Sequence, residues 1–287
     1  MMDLRQVLGL LFLLSVVGCS NNATIHSGDS TALTAKKSNT RYMREAVAVG
    51  AVSVALGSLA LGDVDRDFKT TKEGWFEKDS KYAGMDKLGH AWYGSAIADF
   101  FYERNPNKET QAKSSAALAS AISLGIMSLV EVSDGFADNI VGFSREDMVA
   151  NAVGAGFSYV RNTNPRLKKL VDFRIEYLPD YSADDWSIDT FYADQKYLLA
   201  WKLSGIDALK NNPARFFELH TGYYARGYSS KEFGDEKQRN GYIGIGLNLS
   251  EIFSLSQSEK RRSKRVAKHF LEHIQLPKTS VEASKSY

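Results

Sequence analysis

Long uncharged stretches separated by short polar loops mark the first half of the chain, and short alternating stretches mark the second. Residues 46–62 carry no charge, are rich in Ala, Val, Ser and Gly, and lie between Glu45 and Asp63. As a helix they would span about 26 Å. A second helix is predicted from Asp86 to about Glu103, stopping before Asn105-Pro106 because proline disfavours helix in the residue before it. A third is expected from about Glu109 to Val130, uncharged over 114–130, and a fourth from Ser144 to about Val160. Four helices with short connections make an antiparallel bundle the economical arrangement of residues 41–165. Whether 46–62 and 114–130 cross a membrane or lie buried in the bundle stays open, because Gly50, Ala51 and Gly57 suit close helix packing in either setting.

After Pro165 the period changes from helical to alternating. Phe173–Leu178, Trp186–Tyr192, Tyr197–Leu203, Phe217–Tyr224 and Tyr242–Leu249 read as about five strands of a small antiparallel sheet with one apolar face, within residues 166–255. Their aromatic alternation also resembles outer-membrane barrel strands, but five are too few to close such a barrel, so a sheet packed on the bundle is expected. Residues 256–276 predict an amphipathic helix with Val266, Ala267, Phe270, Leu271 and Ile274 on one stripe and Lys260, Arg261, Arg262, Lys264, Arg265 and Lys268 opposite. It either docks on the protein or attaches to an anionic lipid or lipopolysaccharide. A polar tail, 277–287, follows. The fold class is α+β.

Charge and cysteine content narrow the setting. The 287 residues hold 36 basic and 34 acidic side chains, and this near balance gives no global field for nucleic acid. The one cysteine, Cys19, can form no intramolecular disulfide. Before it, Val7–Gly18 is an apolar run with Arg5 upstream, the layout of an export signal over residues 1–18 and too short for a permanent span. Residues 19–40 are polar and aperiodic, a tether.

Candidate chemistry concentrates between Gly84 and Ala155. His90 follows Asp86 by one helical turn, which permits a carboxylate–imidazole pair, and Asn151 follows Asp147 at the same spacing. Asp86 has an ordinary account as a helix N-cap, Asp147 as the acid of a capping box begun by Ser144, and Asp134, before Gly135, as a turn residue. Glu131 closes an uncharged run at a predicted helix C-terminus, where the macrodipole disfavours an anion, so Lys87 or His90 should compensate it. The weight therefore falls on Lys87, His90, Glu131 and Asn151, with Asp86 as a further catalytic candidate and Asp134 and Asp147 as binding candidates. A single histidine beside two or three carboxylates suits Mg²⁺, Mn²⁺ or Zn²⁺ equally poorly, so no metal and no cofactor is expected.

Three resemblances follow from these residues. Val16-Val17-Gly18-Cys19 resembles the lipobox of bacterial lipoproteins, which implies lipidation of Cys19 and, through Ser20, sorting to the outer membrane. Gly84-Met-Asp86-Lys87-Leu-Gly89-His90, Glu131-Val-Ser-Asp134-Gly135-Phe136 and Gly142-Phe143-Ser144-Arg-Glu-Asp147 with Asn151 resemble the YfiM-type predicted periplasmic lipoproteins over about residues 40–160. That likeness implies a helical domain in the Gram-negative envelope with no assigned biochemistry. The same acid, histidine and amide pattern is also similar to that of VanZ-like membrane proteins, which are integral to the inner membrane.

The expectation is a lipid-anchored envelope protein, more a binder than an enzyme, that meets the membrane through its anchor and binds an envelope lipid, glycan or membrane protein. The alternative is an envelope hydrolase or transferase acting on a lipid or cell-wall precursor. In it His90 would be general acid or base, Glu131 or Asp86 would orient it, and Lys87 would stabilise developing negative charge.

Overall fold

The computed structural model describes residues 40–52, 67–136, 142–178, 192–229, 232, 235–255 and 268–287. Cys19, the signal and nearly all of the tether lie outside the described residues. So do 53–62 of the first predicted helix, 186–191 of the second predicted strand and the basic run 260–265.

Four helices form the first layer: α1 (residues 40–52), α2 (Met85–Arg104), α3 (Ala112–Gly135) and α4 (Arg145–Thr163). Tyr42 and Ala46 of α1 join Ile97, Phe101, Ala116, Ala119, Ile126 and Met127 in one buried cluster. Tyr42 also donates its hydroxyl to the Phe101 carbonyl at 3.1 Å. Helix α2 starts one residue earlier than its acid suggests. Gly84, with φ 82°, is the N-cap, and a side chain there would meet the Phe76 ring at 2.2 Å. Asp86 therefore lies inside the first turn and its carboxylate caps nothing. Helix α3 runs on to Gly135, so Asp134 is not a turn residue but a buried one in the last helical turn.

Helices α2 and α4 cross at backbone contact. A Cβ on Gly154 would stand 1.9 Å from the Ala91 carbonyl oxygen, and one on Gly94 would stand 2.7 Å from that of Asn151. Only hydrogen fits at that crossing, and His90 and Asn151 flank it. A short parallel ladder, β1 (Thr70–Thr71) with β2 (Phe143–Ser144), ties the preceding loop to the start of α4. The Lys69 amide adds a bond to the Gly135 carbonyl at 2.7 Å.

By length and composition α3 is apolar enough to cross a membrane. Its inward residues Ala116, Ala119, Ser123, Ile126 and Met127 pack in the bundle, while Leu118, Leu129 and Val132 are exposed.

The second layer is a six-stranded sheet in the order β7-β3-β4-β5-β6-β8: β3 (Val171–Tyr177), β4 (Gln195–Lys202), β5 (Phe217–Arg226), β6 (Gln238–Leu247), β7 (Ile274–Gln275) and β8 (Ser280–Ser286). A six-residue helix, α5 (Pro165–Leu170), links it to α4, with Asn164 capping the helix and Pro165 as its first residue. The sheet is mixed rather than antiparallel, because β7 pairs parallel to β3. Residues 277–287, expected as a tail, contain β8, antiparallel to β6. The C-terminal helix is described only over residues 268–273 and gives way to β7 at Ile274, inside the span 256–276 predicted as helix.

Cross-strand partners share a face, so the register sorts the side chains. Ile175, Tyr197, Tyr223 and Ala225 cluster against Ala83, Met85 and Trp92 of the helical layer. Farther along that face Leu219, Ile243, Ile245 and Val281 are exposed, Ile243 by 66%. The opposite face carries Asp172, Arg174, Lys202, Glu218 and His220, all buried.

Candidate functional site

At the α2–α4 crossing, beside the end of α3, buried acids gather around one lysine and one histidine. Lys87 Nζ lies 2.6 Å from Asp86 Oδ2, 2.7 Å from Glu73 Oε2 and 2.9 Å from Asp147 Oδ1. Lys87 is thus occupied by three carboxylates, and Glu131 is not among these contacts. Burial raises Glu73, but the Lys87 ammonium outweighs it and holds the group at about 2. Burial wins at Asp86, which is pushed up to about 6 in spite of Lys87.

His90 is held from the far side. Its Nδ1 lies 3.1 Å from Asn151 Oδ1, and in the neutral ring a proton on Nδ1 makes that bond and leaves Nε2 with its lone pair. Nε2 faces Asp147 Oδ1 at 3.8 Å, beyond hydrogen-bond reach. The expected Asp86–His90 pair does not form: Asp86 turns to Lys87 and reaches the ring only through its field. Burial disfavours the imidazolium, yet the charges of Asp147, Glu131, Asp86 and Asp134 outweigh it and raise the ring's pKa.

Glu131, 1% exposed, accepts the Ser144 backbone N–H through Oε1. Ser144 caps α4, its hydroxyl accepting the Asp147 amide at 3.2 Å. The return bond of a capping box, from the third helical acid to the cap N–H, is here supplied by Glu131 from another helix, which frees the Asp147 carboxylate for Lys87 and His90. Burial pushes Glu131 up to about 8, with His90 opposing, and Asp134 up to about 6. Glu131 Oε2, Asp134 Oδ1, Asp147 Oδ1 and Asn151 Nδ2 are buried without an aligned hydrogen-bond partner, so at Asp147 the Lys87 contact is one of charge. Buried groups in this condition are costly and call for a ligand, a proton or a function.

A second buried cluster separates structural ionisation from this one. Asp99 of α2 accepts from Ser158 at 2.6 Å, Arg161 at 2.7 Å and Asn162, with His273 Nε2 at 3.1 Å. Arg161 of α4 also reaches Asp172 at 2.7 Å and Glu272 at 3.1 Å. Arg174 reaches Asp172 at 2.8 Å and Glu218 at 2.6 Å, and Lys202 reaches Asp172 at 2.7 Å. Arginine and lysine nearly match the acids, and no carboxylate oxygen in this seam is left unpartnered. The seam joins helices to sheet. The first cluster sets Glu73, Asp86, Glu131, Asp134 and Asp147 against the buried Lys87, the His90 ring and, at Glu73 alone, Lys81, and its bare oxygens mark it as the candidate site.

The fold brings Lys87, His90, Glu131, Asp147 and Asn151 together as the sequence suggests, and places Asp86 and Asp134 beside them in roles other than cap and turn. Sequence reasoning missed Glu73, which sits in an aperiodic loop, and the Asp99–Arg161 seam. An aspartate in the middle of an apolar helical run, Ala96-Ile-Ala-Asp99-Phe-Phe, is the signal that could have found the seam.

Residues 72–163 match a family model described as predicted periplasmic lipoprotein (DUF2279). The matched stretch contains every residue of the acid–histidine cluster. No curated protein and no solved structure matches the chain.

Proposed function

We propose that this protein, whose residues 72–163 match the model of a predicted periplasmic lipoprotein family, is a lipid-anchored component of the cell envelope whose outward aliphatic faces lie against envelope lipid. The observation that supports it best is the inverted distribution of side chains. Both layers bury clusters of ionic residues, Lys87, Glu131 and Asp147 in the bundle and Asp172, Arg174 and Glu218 in the sheet. Leu129, Val132, Val149, Val153 and Val160 of α3 and α4, and Leu219, Ile243, Ile245 and Val281 of the sheet, point out. Contiguous exposed aliphatics on a folded protein mark a contact with apolar material.

Acyl chains on Cys19, the lipobox cysteine, would hold these faces near a bilayer, since the tether from residue 19 to α1 reaches at most about 70 Å. Ser20 favours the outer membrane as the address. Cell fractionation tests the anchor. The wild-type chain should sediment with outer membrane and incorporate labelled palmitate, and Cys19→Ser should lose the label. Label on the Cys19→Ser chain, or a wild-type chain recovered in the soluble periplasm, would refute it.

A second reading, an envelope hydrolase or transferase, rests on Glu131, a buried acid pushed up to about 8 beside the His90 ring. Such a group holds a proton at neutral pH and could give it to a leaving group. Lys87 is already engaged by three carboxylates, so the developing charge would need another stabiliser. Complementation of a deletion strain by folded His90→Ala and Glu131→Gln chains would rule this reading out.

A further inference from the structure

We propose that His90, Glu131 and Asp147 form a buried binding site for a divalent transition-metal ion with a mixed nitrogen and oxygen donor preference, of the Zn²⁺ or Mn²⁺ kind. Each residue brings one ligand atom to within 4.8 Å of the other two, and all three are buried. Three features favour an ion here over incidental crowding.

The first is that donor atoms remain in reserve. Glu131 gives one oxygen to the Ser144 amide and leaves Oε2 bare, and Asp147 Oδ1 is held only by its charge contact with Lys87 at 2.9 Å. A metal ion satisfies such oxygens without adding a side chain.

The second is the orientation of the imidazole. Asn151 holds Nδ1, so the Nε2 lone pair is directed toward Asp147. An amide or carbonyl on the far ring nitrogen is the usual outer support of a metal-bound histidine. Asn151 is fully buried and its Oδ1 has no other protein partner at that distance, so orienting the ring accounts for its position.

The third is a contrast within the same cluster. Glu73, Asp86 and Asp147 also come within ligand distance of one another, but Lys87 already sits among them at 2.6 to 2.9 Å. The ammonium fills the outer trio and touches the inner one only through the shared Asp147, while no lysine or arginine among the described residues pairs with Glu131. One imidazole and two carboxylates suit borderline ions better than Mg²⁺ or Ca²⁺, which take oxygen donors alone.

The test uses the full chain, purified without a histidine tag and stripped by a chelator, then titrated with ZnCl₂ and MnCl₂ by calorimetry and followed by thermal unfolding. The expected result is one saturable site for at least one of the two ions and a rise in Tm on loading. Glu131→Gln and His90→Gln should abolish both while the unloaded chains keep the wild-type circular dichroism spectrum. Asn151→Ala should weaken binding by about 10- to 100-fold, the usual cost of losing such a support. His269→Gln, at a ring 4.7 Å from His273, should leave binding unchanged. Absence of saturable binding by the wild-type chain overturns the proposal. So does binding that survives Glu131→Gln or His90→Gln, or that is lost with His269→Gln.

Discussion

Asn151 and Gly154 lie one turn apart on α4 and do different work at the same crossing. Asn151 fixes the His90 ring, and Gly154 lets α4 approach close enough for it to do so. Gly154→Ala should destabilise the chain by about 1–3 kcal/mol or more, because a methyl group 1.9 Å from the Ala91 carbonyl forces the helices apart. Urea unfolding of the variant against wild type measures this. Arg161 is the corresponding single point in the ionic seam. Replacing it with Leu leaves Asp99, Asp172 and Glu272 buried beside fewer cations and should cost about 3–5 kcal/mol in the same assay. Glu73, Lys87 and Asp147 show why single residues were only partly legible. Asp86 and Asp147 each had an adequate local explanation as caps, and local rules cannot tell that a lysine next in sequence and a glutamate from a loop would claim the carboxylates instead.

The helices and strands were legible because their burial follows period. Helices α2, α3 and α4 fall within a few residues of their expected bounds, and β3, β4, β5 and β6 lie where aromatic and branched residues alternate. Strand β8 was not legible, since Ser280-Val-Glu-Ala-Ser-Lys-Ser286 has almost no apolar alternation and its pairing with β6 rests on backbone bonds. Edge strands of this polar kind protect the strand beneath from other chains. Deleting residues 280–287 should therefore speed amide exchange along β6, most clearly at residues 240–246, while exchange in α2 and α4 stays slow. Unchanged exchange in β6 would show that β8 does not cover it. The seam between the layers also carries a pH signature. Burial raises the carboxyls of Asp99 and Asp172, but Arg161 and His273 at the first, and Lys202, Arg161 and Arg174 at the second, outweigh it and hold both well below the usual carboxylate range. The unfolded chain then binds more protons than the folded one below about pH 4, so these pairs contribute stability at neutral pH that is lost as pH falls from the ordinary aspartate value toward the depressed ones. Asp86, Asp134 and Glu131, held above the ordinary range, act in the opposite sense at higher pH, so denaturant midpoints should fall between about pH 4 and 2, and Asp99→Asn should flatten part of that slope.

Both layers bury ionic clusters and leave many aliphatic side chains exposed, beside apolar cores such as the one formed by Ile97, Ile126 and Met127. The sequence pattern announced a sheet with one apolar face, and that face exists. What the pattern could not convey is that much of the apolar face stays exposed while the ionic face is buried, because Arg161 and Glu272 arrive from distant positions to satisfy it. An envelope lipoprotein held at a bilayer gives that inversion a reason, since aliphatic faces beside lipid cost little. Flotation of purified Cys19→Ser chain with phospholipid vesicles isolates this from the anchor. The chain should float with the vesicles, and the further changes Leu129→Asn, Val153→Asn and Ile243→Asn should release it without altering its circular dichroism. A Cys19→Ser chain that stays at the bottom of the gradient, or a triple variant that still floats, would contradict the account.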